Sequence, residues 1–293
     1  MPSASSKPAV DARHDGAYVA GKAGARLFRQ AWVPERDVRA VVVIAHGAAE
    51  HGGRYRYVVE RLVPEDVAVY AIDHRGHGRS SGRRAQIDRM AHVVADFDAF
   101  VRHAHDEHPG RPLFSLGHSM GGTVALAHAV AHQDRLAGLA LSSPLARVEA
   151  APLPLRLIAR ALSVVAPDAG LYQVEGGAVS RDPAEVEAYE TDPLVYRGKL
   201  PARTLQELAS TIGDLPDALP RITLPLLVQI GTADGLVPPE GGRLVHARAG
   251  SGDKALREYE GFAHELYNEP AGERERALDD LAEWLLARAP ATG

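Results

Sequence analysis

Leu113-Phe114-Ser115-Leu116-Gly117-His118-Ser119-Met120-Gly121-Gly122-Thr123-Val124-Ala125 passes from an apolar run into small residues, and the change falls on a serine between two glycines. The run reads as a strand buried on both faces and the small residues as the start of a helix. Gly117-x-Ser119-x-Gly121 therefore sits on a sharp strand-to-helix turn, where side chains flanking the serine would collide with neighbouring backbone. Such a turn presents the hydroxyl at the carboxyl end of a sheet. The first turn of the helix adds unpaired N–H groups that favour negative charge.

The pattern repeats on either side of this point. Val41 to Ala45, Val67 to Ile72, Leu136 to Leu141 and Leu226 to Ile230 are further apolar runs. Tyr55 to Leu62, Asp88 to His105, Gly121 to His132 and Pro239 to Ala247 have apolar residues recurring at three and four. Strands alternating with helices predict a mostly parallel sheet covered on both faces. Tyr18 to Ala20 and Arg26 to Trp32 predict an opening hairpin, and residues 1–12 a disordered lead-in. The rhythm breaks between Leu141 and Leu226, a proline-rich interval with no convincing strand. Residues 146–217 are read as a helical cap inserted into a single domain spanning 1–293. Within the cap, Leu153 to Val165 is apolar nearly all round except for Arg156 and Arg160, which suits packing against the body or contact with lipid.

Composition narrows the function. With 45% hydrophobic and 24% charged residues over 293 positions, the chain has the balance of a soluble globular protein. A formal charge of −5 and a single short basic run, Arg79, Arg83 and Arg84, argue against a nucleic-acid partner. That run reads as a solvated loop. Cysteine is absent, which removes thiolate nucleophiles and thiolate metal sites. No stretch reaches the ~18 apolar residues of a spanning helix, and the N-terminus lacks a signal-like core. A cytoplasmic protein, able to lie against a membrane, is expected.

A serine at its ordinary pKa is a weak nucleophile and needs a base, which in turn needs an orienting acid. In a sheet of this kind the order along the chain is serine, acid, histidine. Asp234 follows the Leu226 to Ile230 strand in Gly231-Thr232-Ala233-Asp234-Gly235, and His264 follows a short strand at Leu256 to Tyr259. The backbone N–H groups of Met120 and of Ala48, in the loop after the first central strand, are candidate oxyanion donors. A second pattern match, Gly78-Arg79-Ser80-Ser81-Gly82, has no helix of small residues behind it and reads as turn chemistry. The remaining histidines carry weaker signals. His103, His105 and His108 ride an exposed helix end, and His128 and His132 read as a solvated helix face. His74 and His77 are expected to brace a glycine-rich loop and His118 to buttress the turn. No metal and no cofactor are called for.

HGAAEHGGRY, DHRGHGRSSG, LGHSMGG, TDPLVY, GTADGLVP and FAHELYNEP occur in that order, and from about Tyr18 to Trp284 the chain resembles the monoacylglycerol lipase family of α/β-hydrolases. The resemblance implies an eight-stranded hydrolase body, a mobile cap and hydrolysis of monoglycerides to fatty acid and glycerol. It implies Ser119, Asp234 and His264 as the triad, with Ala48 and Met120 forming the oxyanion hole. It also implies that Glu50, Arg54 and Tyr189 face the glycerol end of the site. Read from the residues alone, Glu50 and Arg54 suit equally a salt bridge pinning their loop, and Tyr189 suits packing. Ala49 departs from the glycine usual in that loop, and the cap resembles the family closely only at TDPLVY.

The same parts serve a lysophospholipase or a general carboxylesterase, since the nucleophile does not fix the leaving group. An epoxide hydrolase or dehalogenase would carry a carboxylate at position 119. A catalytically silent lipid-binding module would have no need of a complete triad.

Overall fold

The computed structural model describes residues 12–147 and 153–289, without the side chains of 153–157 and 159. The expected lead-in therefore lies outside the described residues except for Ala12, which already belongs to a strand. Among the described residues the strands are β1 (Ala12–Ala20), β2 (Arg26–Pro34), β3 (Ala40–Ala45), β4 (Val67–Ile72), β5 (Leu113–His118), β6 (Gly138–Ser142), β7 (Gly170–Tyr172), β8 (Leu200–Pro201), β9 (Leu226–Gly231) and β10 (Lys254–Tyr259). The helices are α1 (Arg56–Leu62), α2 (Met90–Glu107), α3 (Met120–His132), α4 (Leu153–Val165), α5 (Pro183–Thr191), α6 (Ala202–Ala218), α7 (Glu240–Arg248) and α8 (Arg274–Leu286).

Eight strands form one sheet in the order β1-β2-β4-β3-β5-β6-β9-β10. From β4 to β10 every pairing is parallel, while β1 and β2 join antiparallel. The hairpin is longer than its sequence suggests because β1 is mostly exposed, so solvated residues such as His14 and Asp15 extend it without an apolar signal. Central strands alternate between two cores. Val41, Val43 and Ala45 of β3 face the layer under α2, α3 and α7. Ala40, Val42 and Ile44 face the layer under α1 and α8, which Trp284, Leu281 and Phe262 fill. Both faces are thus buried, and period-two amphipathicity is invisible in these strands.

The insertion between β6 and β9 carries α4, α5, most of α6 and one feature not expected from sequence, the two-stranded ribbon β7-β8. Segments of three and two residues, one ending in proline, give no strand pattern to read. The basic loop is also not simply solvated. Arg83 pairs with Asp168 of the insertion at 2.6 Å, and Arg84 donates to the carbonyls of Gly78 and Leu194. His128 corrects another expectation. It is fully buried because α3 is enclosed by the sheet, α2 and α6, and its Nε2 lies 3.2 Å from Asp98.

Among the described residues no helix is long and apolar enough to cross a membrane. Among the described residues, the exposed large apolar side chains are Tyr18, Ile158, Val164, Val165, Leu171 and Tyr172. Apart from Tyr18, all lie on α4 or β7.

Among the described glycines, the one pressed closest against other backbone is Gly121, at the start of α3. A Cβ on Gly121 would stand 2.0 Å from the carbonyl oxygen of Ala45 and 2.5 Å from that of His46. Neither atom can give way without breaking the end of β3. We expect Gly121→Ala to cost at least the ~1–3 kcal/mol of an overpacked core, read as a lowered urea midpoint at unchanged m-value.

Candidate active site

Strand register decides where the candidate residues meet. β3 and β5 run parallel with Ala45 opposite Gly117, so the chain leaving β3 at His46 passes beside the chain leaving β5 at Ser119. β4 lies on the other side of β3. The connections after β3 and β5 therefore turn to opposite flanks and leave a crevice between them, the place where open parallel sheets bind ligands.

Ser119 has φ 53° and ψ −120°, a conformation few L-residues adopt and one that stores strain. Its backbone is fixed from three directions. The Ser119 amide donates to Ser142 O at 3.1 Å, and its carbonyl accepts from Gly122 at 2.9 Å and Leu145 at 3.0 Å. Its hydroxyl makes no hydrogen bond to another described residue. Gly47 lies against it so closely that a Cβ there would come within 3.2 Å of the Ser119 Cβ, so glycine is what lets the loop after β3 reach the serine. Within the described protein, the amides of Ala48 and Met120 have no acceptor.

Asp234 and His264 come from the loops after β9 and β10. His264 Nδ1 donates to Asp234 Oδ2 at 2.7 Å, while Asp234 Oδ1 accepts from the amides of Leu236 and Val237, each at 2.9 Å. This leaves Nε2 of a neutral His264 as the unprotonated nitrogen. Burial pushes the Asp234 carboxyl up, but His264 and the two amides outweigh it and hold it below the usual range. Burial alone would lower His264. The Asp234 carboxylate beside it, with Glu265 and Glu50 further off, raises it above its ordinary value. His118 stands behind, its ring centroid 4.7 Å from that of His264 and its Nδ1 donating to Ser142 O. Burial and the neighbouring His264 push it down to about 3, so it is a neutral support.

Ser119 and His264 line one cavity of about 300 Å³. Leu145, Leu200, Leu205, Leu208, Leu236 and Val237 make its wall largely apolar, while Glu50, Glu265 and Tyr189 give it a polar end. Arg54 lies behind that end. It binds both oxygens of Glu265, donates to Glu50 Oε2 at 3.3 Å and stacks over the Tyr189 ring at 4.8 Å. Glu50 Oε1 accepts from the Gly47 amide at 2.6 Å and from Tyr55 at 2.9 Å. The salt bridge that the sequence allowed at Glu50 and Arg54 is present. Tyr189 is buried, and its hydroxyl has no partner among the described residues.

Glu265 is the residue the sequence reading passed over. It stands next to the candidate histidine, and only its place in the FAHELYNEP segment marks it in the sequence. The rings of His74 and His77 pack against that of His46, with centroids 4.4 and 5.4 Å away; the His74 amide donates to His46 Nε2 at 2.9 Å, and His46 Nδ1 donates to Gly47 O at 2.7 Å. The second Gly-x-Ser-x-Gly match is a loop tied by Asp73, which accepts from the Arg79 amide.

A parallel sheet with its strained serine at the switch point, capped at the carboxyl edge, defines an α/β-hydrolase. Comparison with known proteins refines the class. The family model described as serine aminopeptidase, S33 (Hydrolase_4) matches residues 36–271. A monoacylglycerol lipase of Mycolicibacterium smegmatis is 39% identical over 269 residues, covering 92% of this chain and 95% of that protein. The Homo sapiens monoglyceride lipase is 35% identical over 279 residues, covering 92% and 90%. Among solved structures, the Paleococcus ferrophilus monoacylglycerol lipase superposes with a TM-score of 0.79 at 30% identity, covering 89% of this chain and 99% of that one. The chain belongs to the monoacylglycerol lipase family of α/β-hydrolases.

If His264 is the base, it must be neutral to act, so activity is lost as pH falls through its pKa. Because that pKa is raised from 6.5, the acid limb of kcat/KM should have its midpoint above pH 6.5. A pH series on a soluble ester measures it, and a midpoint clearly below 6.5 contradicts the environment described for His264.

Proposed function

We propose that this protein hydrolyses monoacylglycerols to fatty acid and glycerol through an acyl-enzyme on Ser119. The observation that carries the reading is one cavity holding the strained serine and the Asp234-oriented histidine, apolar along its wall and polar at one end. Neutral His264 takes the Ser119 proton as the oxygen attacks the ester carbonyl. Asp234 holds the imidazole tautomer and stabilises the imidazolium. The amides of Ala48 and Met120 take the developing oxyanion, at sites where they have no competing acceptor. His264 then passes its proton to the departing glycerol oxygen. A water, deprotonated by His264 in the second half, releases the fatty acid.

The polar end bears on the leaving group. At the polar end two carboxylates, Glu50 and Glu265, share the one guanidinium of Arg54 behind them, a balance that suits a neutral alcohol there better than a phosphate headgroup, although Arg147 also lines the cavity. Both carboxylates are also engaged by Arg54 and neighbouring donors, so neither is free to hold a peptide's terminal amine. Tyr189 offers an unsatisfied buried hydroxyl, which a glycerol hydroxyl would pair. These features support a monoacylglycerol over a lysophospholipid or an aminopeptidase substrate.

Ser119→Ala is expected to reduce turnover of a monoacylglycerol by more than ~1,000-fold and to abolish labelling by a fluorophosphonate. In the same kinetic series, Tyr189→Phe should lower kcat/KM on the monoacylglycerol by about fivefold to tenfold, in line with the loss of one hydrogen bond, and barely change a nitrophenyl ester of the same acid. Equal losses on both esters would remove Tyr189 from the glycerol subsite.

We also propose that the cap meets a lipid surface. Val164 and Val165 are 70% and 79% exposed, and Tyr172 belongs both to the neighbouring exposed patch and to the cavity wall. Substrate could pass from bilayer to cavity along that side. Val164→Ser with Val165→Ser should reduce co-flotation with phosphatidylcholine vesicles by at least tenfold, about 1.4 kcal/mol, at unchanged activity on a soluble ester. Undiminished flotation, or none by the wild-type protein, refutes the contact.

A further inference from the structure

The loop that carries Ala48 is held not only by the body but also by the cap. Beneath it, Glu50 takes the Gly47 amide, His46 takes the His74 amide, and Asp73 accepts from the Gly52 amide at 2.9 Å. Above it, two bonds arrive from the segment just after α5. The Tyr196 amide donates to Ala49 O at 2.7 Å, and His51 Nε2 bonds Asp192 Oδ2 at 2.9 Å. Ala49, between donor and anchors, has φ 68°, an unfavourable backbone for alanine that the surrounding bonds must hold in place.

The protonation pattern gives the second bond a direction. His51 Nδ1 accepts from the Gly53 amide at 3.1 Å, so in the neutral ring the proton sits on Nε2 and is donated to Asp192. The other oxygen, Asp192 Oδ1, accepts from the Leu194 amide at 2.7 Å. Arg84 of the body donates to Leu194 O at 2.7 Å, fixing the segment from its far side. Both carboxylate oxygens are thus committed, one to the segment's own turn and one to the oxyanion loop.

We infer that Asp192 is a positioning residue for the oxyanion hole: through His51, and together with the Tyr196–Ala49 bond, it sets the place of the Ala48 amide, so that the hole is complete only while this part of the cap is docked. The inference rests on the assignment of Ala48 as an oxyanion donor. It predicts a defect in the transition state rather than in substrate binding. A bond to a misplaced donor is lost where charge develops, whereas the acyl wall, built by other side chains, is untouched.

The test is Asp192→Ala on the full chain, with a soluble nitrophenyl ester as substrate and an alkyl boronic acid as probe of the tetrahedral adduct on Ser119. We expect kcat to fall by about tenfold to a hundredfold, part of the effect of deleting a whole oxyanion donor, with KM changed by less than about twofold. Affinity for the boronic acid should fall in proportion to kcat/KM. Asp192→Asn keeps the shape should the alanine variant fail to fold. It has one acceptor where two are needed, so we expect a loss of at least threefold in kcat. His51→Ala combined with Asp192→Ala should be no worse than the poorer single variant, because both act through one bond. Unchanged kcat, a defect confined to KM, or multiplicative losses would each overturn the inference. If the wild-type protein neither turns over the ester nor binds the boronic acid, the hydrolase reading itself fails. A wild-type protein that does both, beside an unaffected Asp192→Ala, removes only the role of Asp192.

Discussion

The carbonyl oxygen of Ala45 occupies the space that a side chain on Gly121 would need, and this contact governs the geometry of the rest. It allows the first turn of α3 to lie on the end of β3, which brings the Ser119 elbow beside the chain leaving β3. Gly47 completes the approach from the other side. Without two residues lacking Cβ at these places, the serine and the candidate oxyanion loop would stand apart, and the crevice at the switch point would hold no reactive geometry. The strained backbone of Ser119 persists because hydrogen bonds from β6 and the following segment over-determine it.

Residues that follow a single physical rule were legible in the sequence. Apolar runs such as Val67 to Ile72 end where β4 ends, because a strand buried on both faces must be apolar throughout. The count of eight strands, by contrast, comes from resemblance, and their order has no signal in the sequence, since alternation alone does not say which strands neighbour each other. His128 was misread because α3 has little amphipathic contrast: it is covered on nearly every side, so a histidine there looked solvated when Asp98 and Phe97 enclose it. The ribbon β7-β8 was invisible for want of length.

The candidate site divides along the same line. Positions after predicted strands pointed to Ser119, Asp234 and His264, whereas partners that depend on distant chain segments had no local signal. Glu265 meets Arg54 across more than two hundred residues, and His51 meets Asp192 across 141. The basic run shows the limit from the other direction. A cluster of arginines looks like surface charge until Arg83 and Arg84 are seen reaching the insertion. The cap is joined to the His264 side as well, through the Glu265 amide to Val179 O and Arg181 to Glu269. It is thus in register with both rims of the crevice.

The sequential layout of these parts has a consequence for biosynthesis. The loop after β3 and Ser119 leave the ribosome first, the cap follows, and the loops bearing Asp234 and His264 are translated last. N-terminal segments begin to fold as they emerge, so a half-made chain could expose its alcohol yet have no imidazole to activate it. On the proposed assignment, such a chain lacks the base that activates Ser119 until nearly its last residues are added.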